Sequence, residues 1–379
     1  MSRILILGGG FGGIAAAHRL RALLDDDDEI TLVDRGTHFV MGFRKTGEII
    51  GREPMAEGSR PLKNLERFGI TVVQGSIDRI DPQARAAVVD GQRLEADAML
   101  IALGAETVPD AVPGLAEHGI DIYSHAGVPK AARALRRDAG IMLIGIFSQP
   151  YKCPPAPFEL ALLAYEAATE RGARLKFDSF TPLPSSLPAV GPQGCEAIEG
   201  RMKGVGIGFR ANTKADRVEA GAVVTDQGDI PFDVLFAVPP HRVPACVAET
   251  GLLGPSGWVK VNPATLATPV EGVWAVGDCV GIPTADGKAV PKAGEIAADA
   301  GRVAAEHMAA FVRGEASDAR FYAEGRCFLE TGYGEAMIVR GRFLDDAGPQ
   351  VELTPPSEDA FEEKKEFERA RLDEWFGAA

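Results

Sequence analysis

What this sequence lacks narrows it first. Its 379 residues hold five cysteines, Cys153, Cys195, Cys246, Cys279 and Cys327, widely spaced and without a C-x-x-C pair. That spacing excludes a zinc ribbon and a disulfide scaffold, and no metal site is expected. In a reducing compartment a disulfide among them would be catalytic rather than structural. No apolar run approaches a bilayer span, and Met1-Ser2-Arg3 leads straight into ILILGGG without a signal-type apolar region and cleavage site, so a cytoplasmic chain is expected. Positive charge is also short: 40 Lys+Arg stand against 54 Asp+Glu, a net of −14. Such a field discourages nucleic acid, which is set aside as a partner. With 46% hydrophobic residues the chain can fill the cores of roughly two or three domains.

What is present begins at once. RILILGGGFGGIAAAHRLRALL places Gly8-x-Gly10-x-x-Gly13 after a strand-like run and at the head of a helix. In a chain with 44 glycines the motif alone is weak. The following EITLVDR supplies a second strand ending in Asp34, where a ribose-binding acid belongs in a dinucleotide fold. Gly8 allows the tight turn, Gly10 admits a pyrophosphate to the backbone and Gly13 lets helix and strand pack closely. The alternative is a glycine-rich turn without ligand.

Two later segments extend the pattern. DAMLIALGAETV (97–108) is a strand running into Leu103-Gly104-Ala105, and VEGVWAVGDCVGIP (270–283) is a strand ending in Gly277-Asp278, followed by an apolar-periodic helix. This order resembles the two-dinucleotide-domain flavoproteins. The resemblance implies an α/β fold with two Rossmann-like dinucleotide-binding domains plus a C-terminal region. It also implies FAD held by the first glycine motif, Asp34, Gly104, Gly277 and Asp278. The implied division is an FAD-binding domain of 1–106 and 251–313, a second Rossmann-like domain of 107–250, and a C-terminal redox-cysteine and interface region of 314–379.

In the second domain the strand GIMLIGIFSQ should enter a helix through a glycine turn if it bound a nicotinamide dinucleotide. PYKCPPAPFE stands there instead. Pro150, Pro154, Pro155 and Pro157 remove backbone N–H groups that a phosphate would need, so the second nucleotide site is read as degenerate. Lys152-Cys153-Pro154-Pro155 resembles the first redox-cysteine segment of sulfide:quinone oxidoreductases and of flavocytochrome c sulfide dehydrogenase flavoproteins. Pro239-Pro240, Lys292 in AVPKAGEIA, and Cys327-Phe328 in GRCFLETGYGEAMIV match that family in turn.

That resemblance implies that Cys153 and Cys327 meet at the flavin as a redox pair. Hydrosulfide would attack the bridge, leave a persulfide on Cys327 and free Cys153 as the thiolate that reduces the flavin. It further implies Lys292 near the flavin and Phe328 beside a quinone. A thiolate is the nucleophile in such exchange, and Lys152 next in sequence is a cation that would lower the pKa of Cys153. The alternative for both cysteines is ordinary packing in a core. Cys195, Cys246 and Cys279 read as core or surface residues.

The chain also departs from the family. The stretch around His125-Ala126 lacks the third cysteine of many members, and RGTHFVMGFRK (35–45) has no cysteine for covalent attachment, so FAD should be non-covalent. His125 is a candidate proton or quinone-site residue, against a local helix-start role. Glu159 is a candidate general base, against a solvated glutamate favoured by the helix dipole. Asp25 to Asp28 reads as a solvated turn.

The tail PSEDAFEEKKEFERARLDEWFGAA sets Phe361, Phe367, Leu372, Trp375 and Phe376 among charges. Residues 357–376 could rest on a membrane surface, or pack on the protein's own body or on a second copy in a homo-oligomer. Three functions remain in view: sulfide oxidation with electrons passed to quinone, oxidation of a small persulfide or thiol with a soluble acceptor, and redox sensing without turnover.

Overall fold

The computed structural model describes residues 1–378. The chain opens with strand β1 (Arg3–Leu7), helix α1 (Phe11–Leu23), strand β2 (Glu29–Asp34), the short helix α2 (Arg44–Ile50), β3 (Thr71–Gln74) and β4 (Ala98–Ile101). It continues through β5 (Gly119–Asp121), β6 (Ala139–Ile146), helix α3 (Ala156–Glu170), β7 (Arg174–Phe180), helix α4 (Gly191–Gly204), β8 (Gly208–Arg210) and β9 (Val234–Val238). The last stretch holds β10 (Val273–Ala275), helix α5 (Gly294–Arg313), β11 (Glu324–Gly332), β12 (Glu335–Arg342), β13 (Gln350–Leu353) and helix α6 (Glu358–Phe376).

Two parallel five-stranded sheets result. The first has the order β10-β4-β1-β2-β3 and the second β5-β9-β6-β7-β8. Strands covered on both faces are apolar along their length rather than alternating, as Ile4 to Leu7 and Ala98 to Ile101 are. In the first sheet β1 lies between β2 (Leu7 against Val33) and β4 (Leu7 against Ile101), so the residues after β1 and β4 emerge side by side. The fold is the α/β architecture expected, with two Rossmann-like sheets.

Helices α1 and α5 cover the first sheet through small residues. A Cβ added at Gly301 of α5 would lie 2.1 Å from the Gly12 carbonyl oxygen of α1, so backbone meets backbone there. The buried Ala16, Ala17, Ala300 and Ala304 fit the same close approach.

The C-terminal part is an antiparallel sheet, β11-β12-β13. Its first hairpin closes through Tyr333-Gly334, both at positive φ, as the right-handed strand twist favours. Helix α6 then starts at Ser357, whose hydroxyl accepts from the Ala360 N–H at 3.1 Å and caps it. β11 packs against α3 and α5, and this placement builds the site.

Candidate active site

The dinucleotide end comes first. Gly8 turns the chain at φ +114, and a Cβ there would lie 2.3 Å from the Ala102 carbonyl oxygen. A Cβ at Gly13 would lie 1.9 Å from the Gly8 oxygen, so α1 touches the turn only because this residue has no side chain. Gly10 differs: it caps α1, and a Cβ there would meet nothing within 4 Å. The space in front of Gly10 is therefore open at a helix N-terminus, which is what an anionic pyrophosphate requires.

Asp34 ends β2 and accepts from the Gly9 N–H and the Gly36 N–H, each at 2.7 Å. Each carboxylate oxygen keeps a further lone pair for a ribose hydroxyl. Gly104 and Gly277 both take positive φ at the ends of β4 and β10. Lys292 Nζ donates to the Asp278 carbonyl at 2.7 Å and the Val280 carbonyl at 3.0 Å, and lies 3.5 Å from the centre of the Trp258 ring. Burial pulls its pKa down to about 8. Burial raises the Asp278 carboxyl above its ordinary value, with Lys292 and Lys152 opposing. These residues fit FAD: a glycine cradle for the pyrophosphate, an acid for the ribose, and an Asp–Lys pair beyond.

A cavity of about 220 Å³ adjoins that end. Its wall carries Cys153, Glu159, Asp278, Lys292, Cys327 and Phe328, brought from α3 and its turn, from the β10 end and from β11. Cys153 sits at φ +50 in the turn between β6 and α3. Its N–H donates to the Lys292 carbonyl at 2.7 Å, and its own carbonyl accepts from the Ala156 N–H at 3.0 Å and the Tyr123 hydroxyl at 3.1 Å. The thiol is thus pinned through its backbone.

Both thiols are unpaired and strongly held in the neutral form. Burial raises Cys153 far above the ordinary thiol range, with Cys327, Glu159 and Asp278 adding to it. Burial likewise pushes Cys327 up to about 12, helped by Glu295 and Glu159. The expectation that neighbouring Lys152 lowers the Cys153 pKa is corrected: Lys152 Nζ donates to the Ala105 carbonyl at 3.0 Å, and desolvation dominates.

Glu159 points into the protein rather than into solvent, at 3% exposure. Its Oε2 accepts from the Glu330 N–H at 3.0 Å. Burial raises its carboxyl to about 7, against the pull of Lys364 and a hydrogen bond with Thr46. Phe328 is buried on β11, with its ring centre 5.5 Å from that of Phe367 of α6. His125 does not join them: it is exposed in the turn after β5 and does not line the cavity. Partial burial lowers its pKa, with Lys45 and Lys152 adding to the effect, so it sits near the cavity's lysines without lining the wall.

Cys279 is fully buried and its Sγ donates to the Val276 carbonyl at 3.2 Å. Cys195 is buried on α4, and Cys246 is half-buried. The tail follows one of the readings left open, packing on the protein's own body. Phe367, Leu372, Trp375 and Phe376 of α6 are all buried against the protein's own body, with Trp375 edge-on to Phe11 and Phe39. Arg44 to Glu368 and Arg371 to Glu295, each at 2.6 Å, and Lys364 to Glu330 fasten the helix. Undocking these side chains would cost about 2 kcal/mol each, so this face of α6 is held by the protein's own body. No helix among the described residues is long and apolar enough to cross a membrane.

Sequence reasoning missed Lys45 and Tyr123, which also line the cavity, and Lys364 behind it. None belongs to a motif. Lys45 follows Arg44 in RKTGEII and carries no local signal that sets it apart.

The family model of the pyridine nucleotide-disulphide oxidoreductases matches residues 2–145. The mitochondrial sulfide:quinone oxidoreductase of Mus musculus is 23% identical over 89% of this chain and 77% of its own length. The sulfide-quinone reductase of Aquifex aeolicus is 27% identical over 76% of this chain and 70% of its own. The X-ray structure of the sulfide:quinone oxidoreductase of Aquifex aeolicus has the same fold, at a TM-score of 0.88 over 100% of this chain and 96% of that one, with 21% identity. With the cradle, the two parallel sheets and relatives along most of its length, the chain is an FAD-dependent oxidoreductase that is similar to sulfide:quinone oxidoreductases.

Proposed function

We propose that the protein oxidises sulfide to sulfane sulfur or polysulfide through Cys153 and Cys327 and passes the electrons to a quinone. The observation that carries the reading is the convergence of two cysteines, distant in sequence, on one cavity with Asp278, Lys292 and Phe328. When bound, FAD supplies a two-electron acceptor that a quinone can reoxidise.

The chain's own residues do the rest. In the oxidised pair, hydrosulfide bonds to the Cys327 sulfur while the bond to Cys153 breaks, and the electron pair leaves on Cys153 as thiolate. Closing the bridge again with the added sulfur included releases two electrons and a proton. A second sulfide or thiol then removes the added sulfur. Glu159, with a carboxyl raised toward neutrality and buried on the same wall, is suited to take that proton. Phe328 offers a flat apolar face to a quinone ring. Hydrogen bonds to its N–H and carbonyl fix the backbone of Cys153, from which the sulfur acts.

A second reading, oxidation of a small persulfide or thiol with a soluble acceptor, is favoured by one observation: the tail helix turns its aromatic face to the protein. The test is to mix the yellow protein anaerobically with sulfide, follow the flavin spectrum, and then add decylubiquinone or ferricyanide. Bleaching reversed by decylubiquinone supports the first reading, and reversal by ferricyanide alone supports the second. An unchanged spectrum on adding sulfide rejects sulfide as donor and leaves oxidation of a small persulfide or thiol, or redox sensing.

A further inference from the structure

Lys45 stands in the first turn of α2, and its side chain lines the cavity that holds Cys153 and Cys327. Its Nζ donates to the Tyr123 carbonyl at 2.6 Å. Among the described residues no carboxylate oxygen lies within 4.0 Å of that ammonium. Lys45 is half-buried, and a cation largely withdrawn from water without a counter-ion calls for a compensating charge. The nearest acid of the turn is already engaged. Asp121 accepts from the N–H groups of Tyr123 and Ser124 at 2.8 and 3.2 Å and from the Thr107 hydroxyl at 2.6 Å.

Tyr123 joins the lysine to the sulfur site. Its carbonyl holds Lys45, and its hydroxyl donates to the Cys153 carbonyl at 3.1 Å. The other two lysines on the wall are directed elsewhere. Lys152 donates to the Ala105 carbonyl beside the dinucleotide cradle, and Lys292 to the carbonyls of Asp278 and Val280. Burial pulls the Lys45 pKa down to about 8 with Lys152 adding to the effect, while Asp121 and a Cys153 thiolate oppose it. The same burial disfavours that thiolate, so each charge lacks what the other supplies.

We propose that Lys45 is the counter-ion of the Cys153 thiolate: its unpaired ammonium is compensated by the negative charge that Cys153 acquires when its S–S bond is cleaved. The proposal rests on the assignment of Cys153 as a redox cysteine. Lys45 acts through Cys153 and is a positioning residue.

The test is iodoacetamide labelling of Cys153 at neutral pH in the FAD-bound Cys327→Ser protein, read by mass spectrometry of the peptide that contains it. Adding Lys45→Met is expected to slow labelling about tenfold, the worth of one pKa unit, while Lys45→Arg keeps the rate within about threefold. Lys152→Met should slow it less than Lys45→Met. Equal rates with and without Lys45→Met overturn the proposal, as do a larger loss in Lys152→Met or a failure of arginine to restore the rate. If Lys45→Met loses its flavin, Lys45→Gln carries the same comparison. Labelling reads the thiolate whether or not sulfide reduces the flavin. Loss of the lysine dependence therefore condemns this proposal alone, and failure of sulfide to bleach the flavin condemns the functional reading alone.

Discussion

The turn from β1 to α1 and the turn from β6 to α3 occupy equivalent places, each leading from a central parallel strand into a helix. Their chemistry has diverged completely. The first is glycine, with open space before Gly10 and helix N–H groups free to meet a phosphate. The second carries Cys153 at φ +50 among prolines, and its one useful N–H is given to the Lys292 carbonyl. The fold supplies a position at the carboxyl ends of parallel strands, and the residues placed there decide whether that position binds a cofactor or reacts.

The largest expected effect comes from removing the sulfur of the second turn. Cys153→Ser should keep FAD but lower the rate of flavin bleaching by sulfide on the order of 10⁴-fold, as losses of a nucleophile do; a rate near wild type would show that the two turns do not differ in function. The same difference is probed from the donor side. NADH should bleach the flavin at least about 10³-fold more slowly than sulfide, because the prolines remove the donors that a second pyrophosphate needs. Comparable rates would mean that the second turn still binds a nicotinamide dinucleotide.

Glu159→Gln should cost about 10²-fold in the sulfide half-reaction. Glu159 accepts a proton only as the carboxylate. The wild-type rate should therefore rise as pH passes upward through about 7, and the glutamine variant should lack that step. A step shared by both proteins belongs to the sulfide instead.

The smallest effects separate the glycines of the first turn. Gly13→Ala forces a Cβ onto the Gly8 carbonyl and should destabilise the protein by about 3 kcal/mol in denaturant melts. Gly10→Ala meets no protein atom, so apoprotein stability should stay within about 0.5 kcal/mol. FAD affinity should fall about tenfold, because the added methyl intrudes on the pyrophosphate. Equal losses of stability in the two variants would refute an open cradle at Gly10.

The first turn was legible in the sequence because its requirements are local. A tight turn and close helix–strand contact admit only glycine at Gly8 and Gly13, and strand periodicity locates them. The cysteine turn was legible for a similar reason, since four prolines after an apolar strand rule out a phosphate cradle. Glu159 was placed only as far as the first turn of α3, and whether it faced water or the cavity depended on β11, whose Glu330 N–H it meets. His125 belongs to a motif-like pair yet does not line the cavity. Phe367 and Trp375 carry the same spacing whether the partner is lipid, a second subunit or the protein's own core.

The sequence by itself determined the α/β class, the dinucleotide cradle and the two cysteine segments, since backbone conformation and apolar periodicity are written over a few neighbouring residues. Only the tertiary structure decided which groups surround the sulfur. Burial, charge compensation and the inward docking of α6 arise from contacts between segments far apart in the chain. Lys45, Tyr123 and Lys364 thus acquire their surroundings only when α2, the β5 turn and α6 close around Cys153 and Glu159.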